Sequence, residues 1–428
     1  MNFNKKGSFF LSAILAFTIL ISLVSHKAAF ATDNETYKNL KLFNEVLNMV
    51  EKNYVEEIDP KAVIHGAING MIKSLDPHSA FMTAEQYNDL KIGTKGTFSG
   101  LGIVITIQDD MITVVAPIED KPAFIAGVKA GDKIIKIDGE TIKGFTIMDA
   151  VHKLRGKKGT KVTITIVRED EDDTIDFDIV RDIIEIKSVK HRIYHEDIGY
   201  IRISSFQETT ADELDKALKE INTEDVPLKG LVLDLRNNPG GLLGQSVRVS
   251  DMFLKSGVIV SSKGRTKDSG HVYTARDDGY EPKCPVIILI NGGTASAAEI
   301  VSGALHDNKR AVLLGTQTFG KGSVQTIVPL KDGSALKLTI AKYYTPAGES
   351  IQARGIVPDI AVEYTKPVTT GKDESRQIRE KDLEGHIKGE EEEEKDGKTG
   401  KEMEDLKKDN QLKNAIDLLK NWDVFKEI

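Results

Sequence analysis

The stretch from Val286 to Leu305 restricts the fold of this chain more than any other part of its sequence. Its apolar run Val286–Ile290 predicts a buried strand, and Asn291–Thr294 supplies a glycine-rich turn. Apolar residues then recur at helical spacing from Ala297 to Leu305. A strand that turns directly into a helix is typical of an α/β layer. Ser296 therefore lies at a helix N-terminus, beside free N–H groups and the positive end of the helix dipole.

Strands and helices alternate in the same way over residues 190–365, which we predict to form the main domain. The pattern predicts a mixed-sheet α/β core with largely parallel strands. The predicted strands cover residues 199–203, 228–235, 258–261, 286–290 and 311–315, and the helices before Ser296 cover residues 211–221 and 243–253. Residues 323–329 and 335–343 are predicted to form an antiparallel pair joined by a turn.

A β-rich module is predicted at residues 95–183, and it resembles a PDZ domain. The resemblance rests on three motifs: Gly100-Leu101-Gly102-Ile103, Ala126-Gly127-Val128 with Gly131-Asp132, and Ile137-Asp138-Gly139. It implies that Gly100, Leu101, Gly102 and Ile103 hold the terminal carboxylate of a peptide, which adds a strand to the sheet edge. The competing interpretation is a β-barrel that binds no ligand.

Residues 1–31 are typical of a targeting segment. Lys5 and Lys6 form a positive region, residues 9–24 are apolar, and Ala29-Phe30-Ala31 resembles a small-residue cleavage site. We expect an exported protein whose signal peptide is cleaved near Ala31. The alternative is an uncleaved membrane anchor formed by the same segment. In either case we expect the rest of the chain to work outside the cytoplasm, in the cell envelope or secreted.

Helical segments are predicted near both ends of the chain. Residues 35–92 keep a helical spacing of apolar residues, with a helix start at Asp59-Pro60 and a break at Leu75–Ser79. Residues 366–402 are highly charged and include a run of glutamates, which predicts a flexible linker. Residues 403–428 contain a short amphipathic helix. A helical pair as small as that of residues 35–92 cannot bury its apolar faces alone, so we expect it to pack on the main body or on a second copy of the chain. Because apolar helical faces occur at both ends of the chain, we expect a homodimer formed through these terminal helices.

Charge balance and cysteine content exclude several classes of protein. The chain of 428 residues has a formal net charge of −8, which argues against nucleic acid as a partner. Its single cysteine, Cys284, cannot form an intramolecular disulfide and is predicted to be a buried, inert thiol. Gly315–Lys321 has the Gly-x4-Gly-Lys pattern of a nucleotide-binding phosphate loop, but Gly322 stands where that loop has Ser or Thr. The sequence therefore argues against nucleotide binding. The sequence has neither a His-Glu-x-x-His motif nor a cysteine pair, and we expect no metal and no cofactor.

Lys321 and Gln325 lie in a segment that can supply a base to Ser296. A serine hydroxyl is a poor nucleophile until a base takes its proton, and Ser–Lys pairs are one known solution. The amine must be neutral, so its pKa has to fall from about 10.4 toward roughly 7–8, by burial against apolar neighbours such as Phe319. Gln325 would orient the amine through its amide oxygen. Because four extended residues span about 13 Å, this requires a turn or kink between the two.

Ser296 and Lys321 each have a simpler interpretation when taken singly. A serine at this position is typical of a helix N-cap, and an isolated lysine is typical of a solvated surface. The neighbouring motifs favour catalysis, because together they resemble those of the carboxyl-terminal processing peptidases, the tail-specific serine proteases. The motifs that carry the resemblance are Leu75–Ser79, the PDZ-like module, Asp234–Gly241, Thr294–Glu299 and Phe319–Gln325.

The resemblance implies a role for each residue of the site. Ser296 would be the nucleophile, Lys321 the general base and Gln325 an assisting residue. The oxyanion hole would come from the N–H of Ala297 and from the N–H of Gly240 or Gly241. The resemblance covers most of residues 35–365 together with the final helix.

The resemblance also implies an exported serine endopeptidase that cleaves near the C-terminus of unstructured proteins with apolar tails. We expect the PDZ-like module to bind the tail and to gate the site, because it is tethered between segments of the core. Arg168, at the end of a strand of the module, is a candidate contact between module and core, and its competing interpretation is a solvated arginine. The alternative function is a catalytically silent, exported peptide-binding scaffold, which would have no reason to keep Ser296, Lys321 and Gln325 together.

Overall fold

The computed structural model describes residues 35–169, 171, 173–223, 227–266, 269–277, 279, 281–365 and 406–425. The predicted signal peptide and the whole of the predicted linker lie outside the described residues. The chain divides into two compact units, residues 1–81 and residues 82–428, and each is described by itself. None of the helices in the described part of the chain is both long and apolar enough to cross a membrane.

The first unit is helical, as the sequence predicts. Helix α1 covers residues 35–53 and helix α2 covers Pro60–Lys73. The Asp59 side chain caps α2 by accepting from the N–H of Lys61 at 2.9 Å, and the proline stands at the first helical turn, where it is tolerated. Beyond α2, the Asp76 carboxylate accepts from the N–H groups of His78 and Ser79, both at 2.8 Å, and so fixes the predicted break.

The second unit begins at Met82, the last residue of strand β1 (Ala80–Met82). Helix α3 (Ala84–Lys95) follows and carries a Thr83–Gln86 capping box. The β-rich module follows. Its strands are β2 (Thr97–Gly100), β3 (Ile103–Gln108), β4 (Met111–Pro117), β5 (Lys133–Ile137), β6 (Glu140–Thr141), β7 (Lys161–Val167), β8 (Ile175–Val180) and β9 (Asp182–Glu185). Its helices are α4 (Pro122–Ala126) and α5 (Ile147–Leu154). The main sheet runs in the order β3-β4-β5-β7-β8, so β3 is an edge strand.

The core is a six-stranded sheet in the order β10-β11-β12-β15-β16-β19. These strands are β10 (Val189–Tyr194), β11 (Ile198–Ile203), β12 (Gly230–Asp234), β15 (Val286–Ile290), β16 (Ala311–Gly315) and β19 (Ile360–Ala361). All neighbouring pairs are parallel except β10–β11. Helices α6 (Thr210–Ile221), α7 (Leu243–Asp251) and α8 (Ala297–Asp307) share one apolar cluster with this sheet. The carboxyl ends of β12 and β15 are therefore adjacent, and each is followed by a glycine-bearing loop.

A second sheet of the core is antiparallel and includes one strand that the sequence assigns elsewhere. It joins β14 (His271–Thr274), β13 (Val258–Gly264), β18 (Ala335–Tyr344) and β17 (Ser323–Pro329). The β17–β18 pair confirms the predicted hairpin. The strand predicted near Val258, however, is not part of the parallel layer, because β14 rather than a crossover helix follows it and antiparallel pairing results.

The last helix covers the other face of the parallel sheet. Helix α9 (Asn410–Lys420) packs Leu412, Ala415, Ile416 and Leu419 into an apolar cluster with strands β12, β15 and β16, and the short helix α10 (Trp422–Phe425) follows it. Its apolar face is therefore covered within the chain, which removes it from the predicted dimer contact. The core has three layers, with α6, α7 and α8 on one face and α9 on the other.

The end of the core lies beside the start of the last helix, because residues 364 and 365 contact residues 408 and 410. The Tyr364 hydroxyl donates to the carbonyl oxygen of Lys408 at 3.3 Å, and the N–H of Thr365 donates to Asn410 Oδ1 at 3.0 Å. The two ends of the intervening segment are thus held together, which explains how α9 docks in spite of the long segment before it.

Candidate active site

Ser296 occupies a strained turn between β15 and α8. Its backbone has φ 54° and ψ −114°, a combination that residues other than glycine rarely adopt. A sharp strand-to-helix turn of this kind presents the nucleophile in α/β-hydrolases, although the Gly-x-Ser-x-Gly motif is absent here. Such strain persists only where the surroundings hold it, so the contacts of this turn decide what it can do.

The turn before Ser296 is joined to the loop after β12 by a set of side-chain hydrogen bonds. Asn291 Oδ1 accepts from the N–H of Asn237 at 2.9 Å, and Asn291 Nδ2 donates to Asn237 Oδ1 at 3.0 Å. The Thr294 hydroxyl donates to the carbonyl oxygen of Leu235 at 2.8 Å. The N–H of Ala295 donates to the carbonyl oxygen of Asn238 at 2.9 Å. These bonds fix the glycine loop against the nucleophile turn.

The two glycines of this loop have different surroundings. Gly240 lies so close to the nucleophile that an added Cβ would fall 2.8 Å from the Cβ of Ser296 and 3.0 Å from the nitrogen of Ala297. Its N–H, however, donates to Asn238 Oδ1 at 2.9 Å. Within the described chain, no acceptor is found for the N–H of Gly241 or for that of Ala297, which opens helix α8. Gly240 therefore lies nearer to Ser296, whereas Gly241 and Ala297 have the N–H groups that remain available to an oxyanion.

Glu299 links the nucleophile turn to the loop that carries the lysine. Its side chain is fully buried. Oε2 accepts from the N–H groups of Ser296 and Lys321, at 2.7 and 2.8 Å. Oε1 accepts from the Thr318 hydroxyl and from the N–H of Gly320, at 2.5 and 2.7 Å. One carboxylate oxygen thus joins the main chains of Ser296 and Lys321, a function of Glu299 that its local sequence pattern does not indicate.

Lys321 lies in an environment that disfavours its charged form. Burial lowers the pKa of its amine below the ordinary value, and the nearby positive charge of Lys337 lowers it further, while Glu299 acts in the opposite direction. The predicted apolar wall is not the whole cause, because the Phe319 side chain is 64% exposed. Lys337 lies on β18, so its effect on Lys321 depends on the folding of the hairpin and is not visible in the local sequence pattern.

Gln325 lies near the start of β17, beyond an irregularity in the strand. The pairing of β17 with β18 shifts register between Val324 and Gln325, so the strand is irregular at this point. Gln325 Nε2 donates to the hydroxyls of Ser323 and Thr339, at 2.8 and 3.3 Å. No hydrogen bond joins Gln325 and Lys321, both of which the structure describes. The amide nitrogen is therefore held by two hydroxyls of the antiparallel sheet.

Known proteins have sequences related to nearly the whole of this chain. A carboxy-terminal-processing protease of Bartonella bacilliformis is 47% identical over 423 residues, which cover 97% of this chain and 96% of that protein. The chain belongs to the carboxy-terminal processing protease family. It is a serine-type peptidase of the α/β class that carries a PDZ domain. Models of "Peptidase family S41", "PDZ domain" and "Activating protease CtpB N-terminal domain" match residues 197–362, 99–179 and 17–86.

Two further relatives extend the comparison. The carboxy-terminal processing protease CtpA of Bacillus subtilis is 38% identical over 343 residues, covering 80% of this chain and 72% of that protein. Among solved structures, a photosystem II D1 C-terminal processing protease is 31% identical, with a TM-score of 0.45, covering 75% of this chain and 92% of that one.

The PDZ domain of this peptidase has a small groove at the predicted tail-binding loop. A cavity of about 110 Å³ is lined by Gly100, Leu101, Gly102 and Ile103 together with residues of β3 and helix α5. Within the described residues, no acceptor is found for the N–H groups of Leu101 and Gly102. Gly102 has φ 76°, and a Cβ there would lie 2.4 Å from that of Lys121, so the loop requires glycine at this position. Free donors beside an edge strand fit the end of an extended peptide.

Arg168 makes its contacts inside the PDZ domain of the protease. Its Nε and Nη2 donate to the buried carboxylate of Asp132 at 2.8 and 2.9 Å, and Nη2 donates to the carbonyl oxygen of Gly127 at 3.1 Å. The guanidinium also lies over the ring of Phe177. These partners account for Arg168 as a residue that stabilises the domain, and none of them belongs to the catalytic core.

A reactive thiol and a metal site are the other kinds of functional group considered for this chain. Cys284 is buried in the main apolar cluster, where burial raises the pKa of its thiol. Among the described residues, no group of three or more His, Cys, Asp and Glu side chains is arranged to hold a metal ion.

Proposed function

We propose that this peptidase cleaves proteins near their C-termini with Ser296 as nucleophile and Lys321 as general base. Lys321 takes the hydroxyl proton as Ser296 Oγ bonds to the carbonyl carbon. The N–H groups of Ala297 and Gly241 stabilise the oxyanion. Collapse of this tetrahedral intermediate breaks the C–N bond of the substrate, and the proton passes from Lys321 to the leaving amine. Water then releases the acyl group by the same route.

The shared carboxylate of Glu299 is the observation that carries this proposal. A single oxygen atom accepts from both Ser296 and Lys321, so their main chains converge beside the glycine loop. Neither an N-cap serine nor a solvated lysine requires such a junction. The unpaired N–H groups next to Ser296 supply the charge stabilisation that acyl transfer needs.

Charges around Lys321 predict the pH dependence of the peptidase. Only the neutral amine accepts a proton, so kcat/KM rises with pH as Lys321 deprotonates. Because burial and Lys337 lower its pKa, this rise is centred below the ordinary value of 10.5. Replacing Lys337 with glutamine removes a like charge and is expected to move the midpoint of the pH–rate profile upward. The matched variant Lys331→Gln, in the exposed hairpin turn, is expected to leave the midpoint in place; equal profiles for both variants would contradict this assignment.

We propose that the PDZ domain binds the free C-terminus of the substrate. The loop from Gly100 to Ile103 would hold the terminal carboxylate with its free N–H groups, while the tail pairs with the edge of β3. Apolar residues of β3 and α5 in the groove favour an apolar terminal side chain. Hydrogen bonds to a charged carboxylate are stronger than those to a neutral amide, so charge contributes to recognition.

A pair of peptides tests this function directly. An unstructured peptide with an apolar C-terminal residue is expected to be cleaved with a kcat/KM about tenfold or more above that of the same peptide amidated at its C-terminus. The difference should appear mainly in KM, because one or two charge-assisted hydrogen bonds are worth about 1.5–3 kcal/mol each. Initial rates measured by mass spectrometry would decide it. Equal rates for acid and amide would exclude tail binding while leaving cleavage by Ser296 intact.

Further elements of the proposal concern organisation and location. We propose that the chain consists of a signal peptide or anchor at residues 1–31, helices at 35–92, a PDZ domain at 95–183, a protease core at 190–365 and a linker before the last helix. We also propose that the protein is exported and that its PDZ domain gates the active site. Because the apolar face of α9 is covered within the chain, we propose that the homodimer forms through α1, whose Leu40 and Val46 are 62% and 51% exposed. A monomer in sedimentation would reject it.

A further inference from the structure

A buried arginine ties the last helix of the chain to the glycine loop of the active site. Arg236 follows strand β12 and is 6% exposed. Its backbone N–H, Nε and Nη2 donate to the fully buried Asp234 carboxylate at 2.9, 3.0 and 2.7 Å. Its Nη1 and Nη2 also donate to the Asp409 carboxylate, at 2.9 and 2.7 Å, and Nη1 donates to Gln411 Oε1 at 2.9 Å. The guanidinium is therefore held from two sides.

Asp409 and Gln411 are themselves fixed by the fold. Asp409 Oδ1 caps helix α9 by accepting from the N–H of Leu412 at 3.0 Å. Gln411 is 1% exposed, and its Nε2 donates to the carbonyl oxygen of Val362 at 2.7 Å. Because α9 packs on the parallel sheet, both side chains present their oxygens from a rigid support. A carboxylate that meets the flat guanidinium with two oxygens fixes direction as well as distance.

Arg236 sets the course of the chain into the loop that it precedes. Its carbonyl oxygen accepts from Arg202 Nη2 at 3.3 Å, so side chain and main chain are both anchored. The next residue, Asn237, has φ 57°, and the loop then reaches Gly240 against Ser296. An oxyanion donor acts only when it lies within hydrogen-bond distance of the reacting oxygen. Arg236 is therefore one support of the loop that carries Gly240 and Gly241, beside the hydrogen bonds that join Asn237 and Asn238 to the nucleophile turn.

We propose that Asp409 and Gln411 are positioning residues for the oxyanion hole and act through Arg236. Asp409 is separated from Arg236 by 173 residues in the chain, so the final helix completes a site formed by the core. The inference rests on the proposed function, because it requires Gly241 to donate to the oxyanion.

The test uses the full-length chain with Asp409→Ala and Gln411→Leu. Each substitution is expected to lower kcat about 10- to 100-fold while KM changes by less than about threefold, since indirect supports of a site act mainly on the transition state. A peptide boronate forms a tetrahedral, negatively charged adduct with the nucleophilic serine, so its affinity reports the oxyanion hole. This affinity is expected to fall by the same factor as kcat/KM.

Leu419→Ala is the matched control, because Leu419 lies on the same helix and is 3% exposed but packs against Gly230 instead of Arg236. It is expected to lower Tm and to leave kcat within about twofold at temperatures where the variant is folded. Wild-type kcat and boronate affinity in folded Asp409→Ala would overturn the inference. If Ser296→Ala cleaves as fast as wild type, the proposed function itself fails, whereas an inactive Ser296→Ala beside a fully active Asp409→Ala rejects only the positioning role.

Discussion

Ser296→Ala and Lys321→Ala are each expected to lower kcat by about 10⁴- to 10⁶-fold without unfolding the protein. Removal of the hydroxyl abolishes the acyl-enzyme, and removal of the amine leaves the hydroxyl without a base. Because the two groups act as one unit, the double variant should be about as slow as the slower single variant. Single-turnover cleavage of an unfolded substrate provides the measurement, with circular dichroism to verify folding.

Ser302→Ala provides a matched control for the nucleophile. Ser302 lies on the same helix α8, is fully buried, and donates only to the carbonyl oxygen of Ala298 at 2.9 Å. Its removal is expected to change kcat by less than about threefold, since it costs one local hydrogen bond. Retained cleavage in Ser296→Ala would remove the basis for the proposed mechanism. Retained cleavage in Lys321→Ala alone would assign the base to another group.

Glu299→Gln is expected to destabilise the fold by about 3 kcal/mol and to lower kcat at least 100-fold. Both carboxylate oxygens accept from N–H donors, so an amide nitrogen in either position opposes at least one of them. The junction between Ser296 and Lys321 would then open, which separates nucleophile from base. Urea denaturation gives the stability, and initial rates on folded protein give kcat.

Glu213→Gln on helix α6 is the control for the loss of activity expected in Glu299→Gln. Glu213 Oε2 accepts from the N–H groups of Ser188 and Val189 at 2.8 and 3.0 Å, so it meets a similar set of donors outside the nucleophile turn. Its replacement is expected to cost stability but to keep kcat within about threefold. If both variants lose activity in proportion to their stability, Glu299 has no special connection with catalysis.

The sequence predicts the elements of the core better than their connections. Val286–Ile290 and Ala311–Gly315 are found with the predicted bounds, because fully buried strands read as short apolar runs. The strand at Val258 was assigned to the wrong sheet, since pairing depends on partners that an apolar run does not specify.

The site shows the same limit. Ser296 was identified from local signals, whereas Glu299 was not, although Ser-x-x-Glu at a helix start is a capping-box pattern. Its partners at Thr318 and Gly320 come from another loop, so no local spacing reveals them. The contact of Arg236 with Asp409 joins positions still further apart and follows only from the docking of α9.

The paired ends at Tyr364 and Lys408 have a practical consequence for protein engineering. Because residues 364 and 365 are hydrogen-bonded to residues 408 and 410, the two points of the fold that the intervening sequence connects lie side by side. An affinity tag or a fluorescent reporter inserted into the intervening sequence is therefore expected to leave these two points in place and the catalytic core unchanged.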